Sequence, residues 1–209
     1  AWERPEDLRF IDPGTTGVAA LITTIQLRED RVDVFPRRQS LGLPPGTQVT
    51  AVVRIESDRR LRPTYSLRQR QEAMEIILSA GDRSENKRLQ VDFDAVESER
   101  SFYRNLLTEL RARRPAPWHL SITALASWCL SDAWIAGLPV DEAVPMLFDM
   151  GPEGRVINQT LRHRDFSLSL CRGSLGLSTN ELGTPKRGRK IYLFHPRPWT
   201  VEAFERARG

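Results

Sequence analysis

A short stretch in the middle of the chain, residues 89–95, constrains the fold more than any other feature. It reads Leu-Gln-Val-Asp-Phe-Asp-Ala, so that apolar residues alternate with Gln90, Asp92 and Asp94. A strand turns alternate side chains to opposite faces, and the two carboxylates therefore share one face. Helical apolar patterns on both sides predict a parallel sheet covered by helices. Because parallel strands are usually apolar on both faces, we interpret the two acids as part of a functional site, with a structural ion pair as the alternative.

The length and composition predict one soluble globular domain over residues 1–209. The 209 residues are 40% hydrophobic and 28% charged, and no run approaches the roughly 18 apolar residues of a membrane span. The chain starts abruptly with Ala-Trp-Glu-Arg-Pro, which is not a signal peptide. We therefore expect a domain that is truncated at its N-terminus, or a mature form from which a targeting segment has been removed.

The net charge of +4 comes almost entirely from arginine, and the densest basic run is residues 186–190. No aromatic residues interleave with this run to stack on bases, so a solvated loop is favoured and no nucleic-acid partner is predicted. An acidic partner for the loop is the alternative. Cys129 and Cys171 lack metal-type spacing and are interpreted as small buried apolar residues rather than as a disulfide scaffold.

Hydrophobic periodicity and turn residues divide the chain into alternating strands and helices in its middle part. Ser66 begins a capping box ahead of a helix that ends near Gly81. The predicted strands are 18–27, 31–35, 49–56, 89–95, 119–126, 143–150, 166–171 and 190–195. A loop is predicted over 173–188, between the last two strands. The predicted helices are 67–81, 102–110, 132–138, 155–164 and 200–204.

This order of about eight strands favours a compact (β/α)8 TIM-like barrel in which some helices are short or missing. The alternative is an open doubly wound sheet, which lacks support because no glycine-rich phosphate loop follows a strand. In a barrel the active groups come from the carboxyl ends of the strands. The candidates at those ends are Glu3, Arg54, Glu56, Asp92, Asp94, Glu97, Trp128, Asp149 and His195.

Carboxylates dominate this set. Two acids at positions i and i+2 have Cα atoms about 6.6 Å apart, and their like charges raise one pKa. Carboxylate pairs beside an aromatic ring are typical of glycoside hydrolysis, and they make Asp92, Asp94, Glu97 and Asp149 the catalytic candidates. The remaining five are interpreted as substrate-binding. No cofactor and no metal are predicted, with a divalent cation at Asp92, Asp94 and Asp149 as an alternative.

Two motifs carry a resemblance to family 18 glycoside hydrolases, which are chitinase-like barrels. Residues 90–94 followed by Glu97 resemble the family's fourth-strand motif, in which two aspartates precede a glutamate. Residues 146–149, Met-Leu-Phe-Asp, resemble its sixth-strand Met-x-Tyr-Asp. Val96 stands where the family has its catalytic glutamate, with Glu97 one position late, and Phe148 replaces the tyrosine.

Over most of its length the chain also resembles a bacterial family, domain-of-unknown-function family 3142. The likeness lies in Trp-Glu-Arg-Pro-Glu-Asp-Leu, Val-Asp-Phe-Asp-Ala, Ser-Ile-Thr-Ala-Leu-Ala-Ser-Trp-Cys and Val-Pro-Met-Leu-Phe-Asp-Met-Gly. The resemblance implies a glycosidase-like barrel of secreted or bacterial-envelope type, and hence a secreted or periplasmic location.

The leading hypothesis is a hydrolase of a bacterial polysaccharide, with a carbohydrate substrate as its partner. Asp94 would donate the proton, Asp92 would tune its pKa, and Asp149 would be the second carboxylate, with Glu97 as an alternative acid. The missing glutamate at position 96 supports a second hypothesis, a carbohydrate-binding pseudoenzyme. A third is an interaction module that uses the basic loop at 186–190. The sequence does not specify the oligomeric state.

Overall fold

A computed structural model describes residues 2–181 and 188–208. Its strands alternate with helices through the middle of the chain, as the sequence predicted. The helices are α1 (Leu67–Asp82), α2 (Arg100–Arg113), α3 (Gly154–His163) and α4 (Val201–Arg208). The strands are β1 (Glu6–Asp7), β2 (Val18–Arg28), β3 (Arg31–Pro36), β4 (Leu41–Gly42), β5 (Val49–Ser57), β6 (Arg88–Asp92), β7 (His119–Leu125), β8 (Glu142–Met146), β9 (Ser174–Ser178) and β10 (Lys190–Phe194).

Eight of the strands form one mostly parallel sheet in the order β10-β9-β8-β7-β6-β5-β2-β3. Only β3 is antiparallel, as the hairpin partner of β2. The seven parallel strands follow the order of the chain, and only the hairpin strand β3 lies on the other side of β2. The parallel strands therefore lack the reversal of order that a doubly wound sheet has. The protein is therefore a mixed α/β fold. Strand pairing within the described residues does not join β10 to β2, so a closed barrel is not shown.

The sheet nevertheless curves around a cavity of about 990 Å³. Val18 of β2 and Tyr192 of β10 both line this cavity, together with Gln90 from the central strand β6. Six strand spacings of about 4.8 Å would separate β2 from β10 by about 29 Å in a flat sheet. Both strands line the one cavity because the sheet bends until they face each other.

One face of the curved sheet carries the main hydrophobic core. Val91 and Ile122 are fully buried there against helix residues such as Ile77 and Leu106. The opposite face is polar at many positions, including buried Gln90, Ser121 and Thr123. The strict alternation in the sequence therefore separates a helix-covered face from an inner face that lines the cavity.

Helix α1 begins where the capping pattern predicted. The side chain of Ser66 accepts a hydrogen bond from the main-chain nitrogen of Gln69, and the helix ends one residue beyond Gly81. The predicted helix boundaries at α2 and α3 are also confirmed to within a few residues. Amphipathic periodicity over ten or more residues is the most dependable sequence signal, because a helix must bury one face.

Three predicted elements are wrong in the part of the chain between β7 and β10. Residues 166–171 were expected to be a strand, but they contain a 3-10 helix (Ser169–Cys171), and the strand of this unit is β9. Strand β9 lies inside the predicted glycine- and serine-rich loop, whose small residues allow close approach of neighbouring chain; a Cβ on Gly176 would lie 2.3 Å from the Met146 sulfur. The short helix predicted at 132–138 is replaced by a π-helical turn at Trp128–Asp132.

The two cysteines form a disulfide. Cys129 and Cys171 are both fully buried and their Cα atoms are 5.9 Å apart, across 42 residues of sequence. The interpretation of these residues as reduced apolar side chains was therefore wrong. Their pairing depends on the fold, because the residues after β7 are brought beside the 3-10 helix that precedes β9.

Candidate functional site

The carboxyl ends of three neighbouring parallel strands bring polar side chains together. Thr123 of β7 donates a hydrogen bond of 2.5 Å to Oδ1 of Asp92 at the end of β6. On the other side, Nη1 of Arg54 in β5 lies 3.6 Å from Oδ2 of Asp92. The Nε of Arg54 also donates to Oε1 of Glu56 at 2.7 Å. Parallel pairing of β5, β6 and β7 fixes this group, because residues in register lie at the same height.

Asp92 is the buried member of the group, with 7% of its surface exposed. Burial raises its pKa above the ordinary value, and the charges of Asp94 and Glu56 add to this rise. The hydrogen bond from Thr123 and the charge of Arg54 act in the opposite direction without cancelling it. A carboxyl with a raised pKa keeps its proton to a higher pH than an ordinary aspartate does.

Asp94 lies just beyond the end of β6 and is exposed. The strand stops at Asp92, three residues earlier than predicted, and the next turn is closed by a hydrogen bond of 2.8 Å from Ala95 N to Phe93 O. Phe93 anchors this turn by packing edge-on against buried Tyr103 of α2. The arrangement therefore offers one buried and one accessible carboxyl. The raised pKa is that of Asp92.

The predicted acid Glu97 follows this pair at the start of the next helical segment. Glu97 is exposed and begins a 3-10 helix (Glu97–Glu99) that leads into α2. The buried acid of this segment is Glu99, which accepts hydrogen bonds from the Tyr65 hydroxyl at 2.6 Å and from Val96 N at 2.8 Å. Glu99 thus has a structural role at the start of α2, and the catalytic role predicted for Glu97 is not supported by its position.

Residues 2–3 approach the site from its other side. The indole of Trp2 lies 5.7 Å from the guanidinium carbon of Arg54, and Glu3 accepts a hydrogen bond of 3.1 Å from the Thr24 hydroxyl. Trp2 also contacts Phe194 at the end of β10. Phe194 in turn packs against Phe148, with ring centroids 5.0 Å apart. The predicted placement of Glu3 beside the strand ends agrees with these contacts, and Phe148 and Phe194 add aromatic rings to the same end of the sheet.

Asp149 and His195 follow the ends of β8 and β10, as predicted. Asp149 is exposed and has a left-handed backbone with φ of 51°, a conformation that is uncommon outside glycine and that occurs often at functional sites. His195 Nδ1 lies 2.6 Å from the Thr179 hydroxyl, and its ring packs on Trp199. Burial and the nearby charges of Arg4 and Arg197 lower the pKa of His195. None of the described hydrogen bonds or ion pairs links either residue to Asp92.

Trp128 was predicted to contact the substrate, but it is buried in the hydrophobic core. It is 3% exposed and packs edge-on against Trp134, with ring centroids 5.0 Å apart. Its ring belongs to the hydrophobic core beneath the helices, so the predicted sugar contact is not available to it in this structure. The aromatic residues that do stand at the strand ends are Trp2, Phe148 and Phe194.

Thr123 and Phe194 were not predicted as site residues. They lie inside the predicted strands 119–126 and 190–195. Both positions depend on which strands are neighbours, and single-sequence patterns do not specify this.

The described residues contain no group of three or more histidine, cysteine or acidic residues placed to hold a metal ion. The alternative of a cation at Asp92, Asp94 and Asp149 therefore has no structural support there. In the basic run, Lys186 and Arg187 lie outside the described residues. Arg189 pairs with Asp165, and Lys190 Nζ lies 3.6 Å from Oε2 of Glu142. Carboxylates thus already neutralise the described part of this run.

No helix among the described residues has the length and apolar character needed to cross a membrane. Comparison of the chain with protein-family models, with curated proteins and with solved structures found no match.

Proposed function

We propose that the protein is a glycoside hydrolase that acts on a bacterial polysaccharide at the carboxyl ends of β5, β6 and β7. The observation that carries this proposal is the pair formed by buried Asp92 and exposed Asp94 at the end of a parallel strand. A carboxyl held in a low-dielectric site with a raised pKa, next to an accessible carboxylate, is the arrangement by which acid catalysis operates near neutral pH. The rings of Trp2, Phe148 and Phe194 offer flat apolar surfaces for a sugar.

The proposed roles follow from accessibility. Asp92, whose pKa is raised by burial, holds a proton behind Asp94. Asp94 can reach a bound glycan, takes up this proton and passes it to the leaving oxygen. Arg54, whose guanidinium lies between Asp92 and Glu56, contacts an anionic or hydroxyl group of the substrate together with Glu56. Asp149 is the second carboxylate. Glu3 and His195 would lie at the edge of the substrate.

We further propose that the curved sheet is a (β/α) barrel. The sequential order of parallel strands and the single cavity that β2 and β10 share both support this fold. The disulfide supports a secreted or periplasmic location, because such bonds persist in oxidising compartments.

Substitution of Asp94 by asparagine is expected to lower polysaccharide hydrolysis by about 10²-fold or more, because general-acid catalysis contributes about 10²- to 10⁴-fold. The screen should include amino-sugar, neutral and acidic polysaccharides, with reducing-end release as the readout. The double variant Asp92→Asn/Asp94→Asn should be inactive as well. A matched control is Glu75→Gln, which removes an exposed carboxylate on α1 that pairs with Arg113 at 2.9 Å. Full activity in a folded Asp94→Asn variant would refute the assignment.

A carbohydrate-binding pseudoenzyme is the second candidate. Val96 occupies the motif position where the resembled hydrolases have glutamate, and Glu99 is committed to Tyr65 and to a main-chain nitrogen. This candidate expects retention of the protein on one glycan in a pull-down without turnover. In that case Asp94→Asn should change the affinity only modestly.

Asp92 also predicts a pH dependence of stability. Its pKa is higher in the folded protein than in the unfolded chain, so the folded state binds the proton more tightly. The contribution of this group to stability is therefore present below the ordinary aspartate pKa and is lost as the pH rises through the raised value. Asp92→Asn keeps an acceptor for Thr123 and removes this loss.

We expect the Asp92→Asn variant to be at least as stable as the wild type at pH 7, and to lose this advantage as the pH falls below about 4. Thermal unfolding at a series of pH values measures the difference. This result is expected if the carboxyl of Asp92 serves function although its ionised form lowers stability. If the variant is instead less stable at pH 7 and the deficit disappears in acid, the group is a structural ion pair with Arg54.

A further inference from the structure

Phe35 of strand β3 is exposed on the same face of the sheet as the candidate site. It lies opposite Thr24 of β2, and residues that lie opposite each other in an antiparallel pair share a face. The neighbouring Val34 lies opposite Ile25, which is fully buried on the helix-covered face. Because successive side chains of a strand point to opposite faces, Val34 is on the helix-covered face and Phe35 is on the other.

One row of cross-strand partners connects Phe35 with the buried carboxyl. Phe35 is in register with Thr24 of β2, and Thr24 is in register with Arg54 of β5. Arg54 is in turn in register with Asp92 of β6. Three strand spacings of about 4.8 Å place Phe35 about 14 Å from Asp92 along the sheet. The row therefore runs across four strands and ends at the candidate site.

Polar and aromatic groups occupy the middle of this row. The exposed carboxylate of Glu3 accepts a hydrogen bond of 3.1 Å from the Thr24 hydroxyl. The guanidinium of Arg54 lies over the ring of Trp2, with 5.7 Å between the guanidinium carbon and the ring centroid. Charged groups of this kind bind sugar hydroxyls, and flat rings pack on the apolar face of a sugar. A glycan lying along the row would meet such groups between Phe35 and the acids.

The exposure of Phe35 has meaning because of this row. Its surface is 55% exposed, and isolated exposed apolar side chains are common on proteins. Phe35 differs from an isolated side chain because it shares a face and a register with Arg54 and Asp92. The ring thus stands at the far end of an extended surface that leads to the catalytic candidates.

We propose that Phe35 is a sugar-binding platform of the candidate site, and that the substrate is a polymeric glycan that lies across β3, β2, β5 and β6. One sugar unit stacks on the ring of Phe35 while the bond to be cleaved lies at Asp94. This inference rests on the proposed function, since it extends the path of the same substrate. Binding energy gained far from the reacting bond favours the cleavage of long chains over short ones.

The test compares two substitutions of Phe35. Phe35→Leu keeps an apolar side chain but removes the flat ring, whereas Phe35→Tyr keeps the ring. Val34→Ala is the matched control, because it shortens an exposed apolar side chain of the same strand on the opposite face. Binding is measured as retardation in native gels that contain glycol chitin, hydroxyethyl cellulose or alginate. Cleavage is measured as reducing-end release from size-fractionated oligosaccharides of the polysaccharide that the wild type hydrolyses.

We expect Phe35→Leu to lower kcat/KM on long chains by roughly tenfold, about the effect of one lost aromatic contact. The loss should disappear on chains too short to reach from Asp94 to Phe35. Phe35→Tyr should retain most of the wild-type value, and Val34→Ala should match the wild type on chains of every length. Equal cleavage of long chains by the wild type and Phe35→Leu would overturn the inference and leave the proposed hydrolase standing.

The native gels decide the case in which the wild type cleaves none of the polysaccharides. Retardation of the wild type that is weakened in Phe35→Leu but not in Val34→Ala would refute the hydrolase and support the platform. Equal retardation of the wild type and Phe35→Leu would refute the platform as well. A wild type that is neither retarded nor active would refute both proposals.

Discussion

A variant in which Cys129 and Cys171 are both replaced by alanine is expected to be less stable than the wild type by about 4 kcal/mol. The bond closes a loop of 42 residues, and in the chain-entropy model a loop of that length restricts the unfolded chain by about this free energy. Both sulfurs are fully buried, so their removal also loses some packing. Chemical denaturation with urea at neutral pH measures the loss.

The wild type in reducing buffer separates these two contributions. Reduction removes the covalent link but keeps both sulfur atoms, and its stability should therefore lie close to that of the alanine variant, slightly above it. Mass spectrometry of the oxidised protein should show two hydrogen atoms fewer than the reduced protein. A reduced wild type as stable as the oxidised one would contradict the prediction.

Replacement of Tyr103 by alanine is expected to cost about 3–5 kcal/mol of unfolding free energy, the range for deleting a large buried aromatic side chain. Tyr103 is fully buried in the first turn of α2, where it packs against Phe93 and Trp134. Its hydroxyl donates to Val91 O at 3.3 Å, and burial raises its pKa well above the ordinary value. The ring thus supports the turn that carries Asp94.

Tyr103→Phe serves as the comparison, since it keeps the ring and removes only the hydroxyl. Its cost should be about 1 kcal/mol, the usual net value of one hydrogen bond. Leu67→Ala on α1, where the side chain is 57% exposed, should change stability by less than about 0.5 kcal/mol. Similar losses in the two Tyr103 variants would show that the hydroxyl, rather than the ring, stabilises this contact.

The environment of Asp92 differs from that of a fully paired structural carboxyl. A structural carboxyl is usually stabilised by full pairing, and its pKa falls. Asp92 is deeply buried, has an arginine nitrogen 3.6 Å away, and has a raised pKa. Its ionised form is therefore held at a cost in stability, which is common where chemistry requires a carboxyl in that place.

The catalytic candidates show which features of the strand end could be predicted from residue spacing and which could not. The alternation of Gln90, Asp92 and Asp94 predicted that the acids lie on the polar side of a strand. In the structure, Asp92 lies on that side beside Arg54 of the neighbouring strand β5. The alternation did not predict that β6 ends at Asp92. That end point decides which of the two acids is buried, because only the residue inside the strand is enclosed by β5 and β7.

Most of the main strands and helices could be predicted from the sequence, since alternation and amphipathic periodicity arise from the need of each element to bury one face. The sequence also predicted that carboxylates follow several strands. The disulfide, the burial of Trp128, the partners of Asp92 and the cavity that β2 and β10 share are visible only in the folded protein. Each of these depends on contacts between segments far apart in the chain, and such contacts are set by strand order and by the curvature of the sheet, which no local pattern encodes.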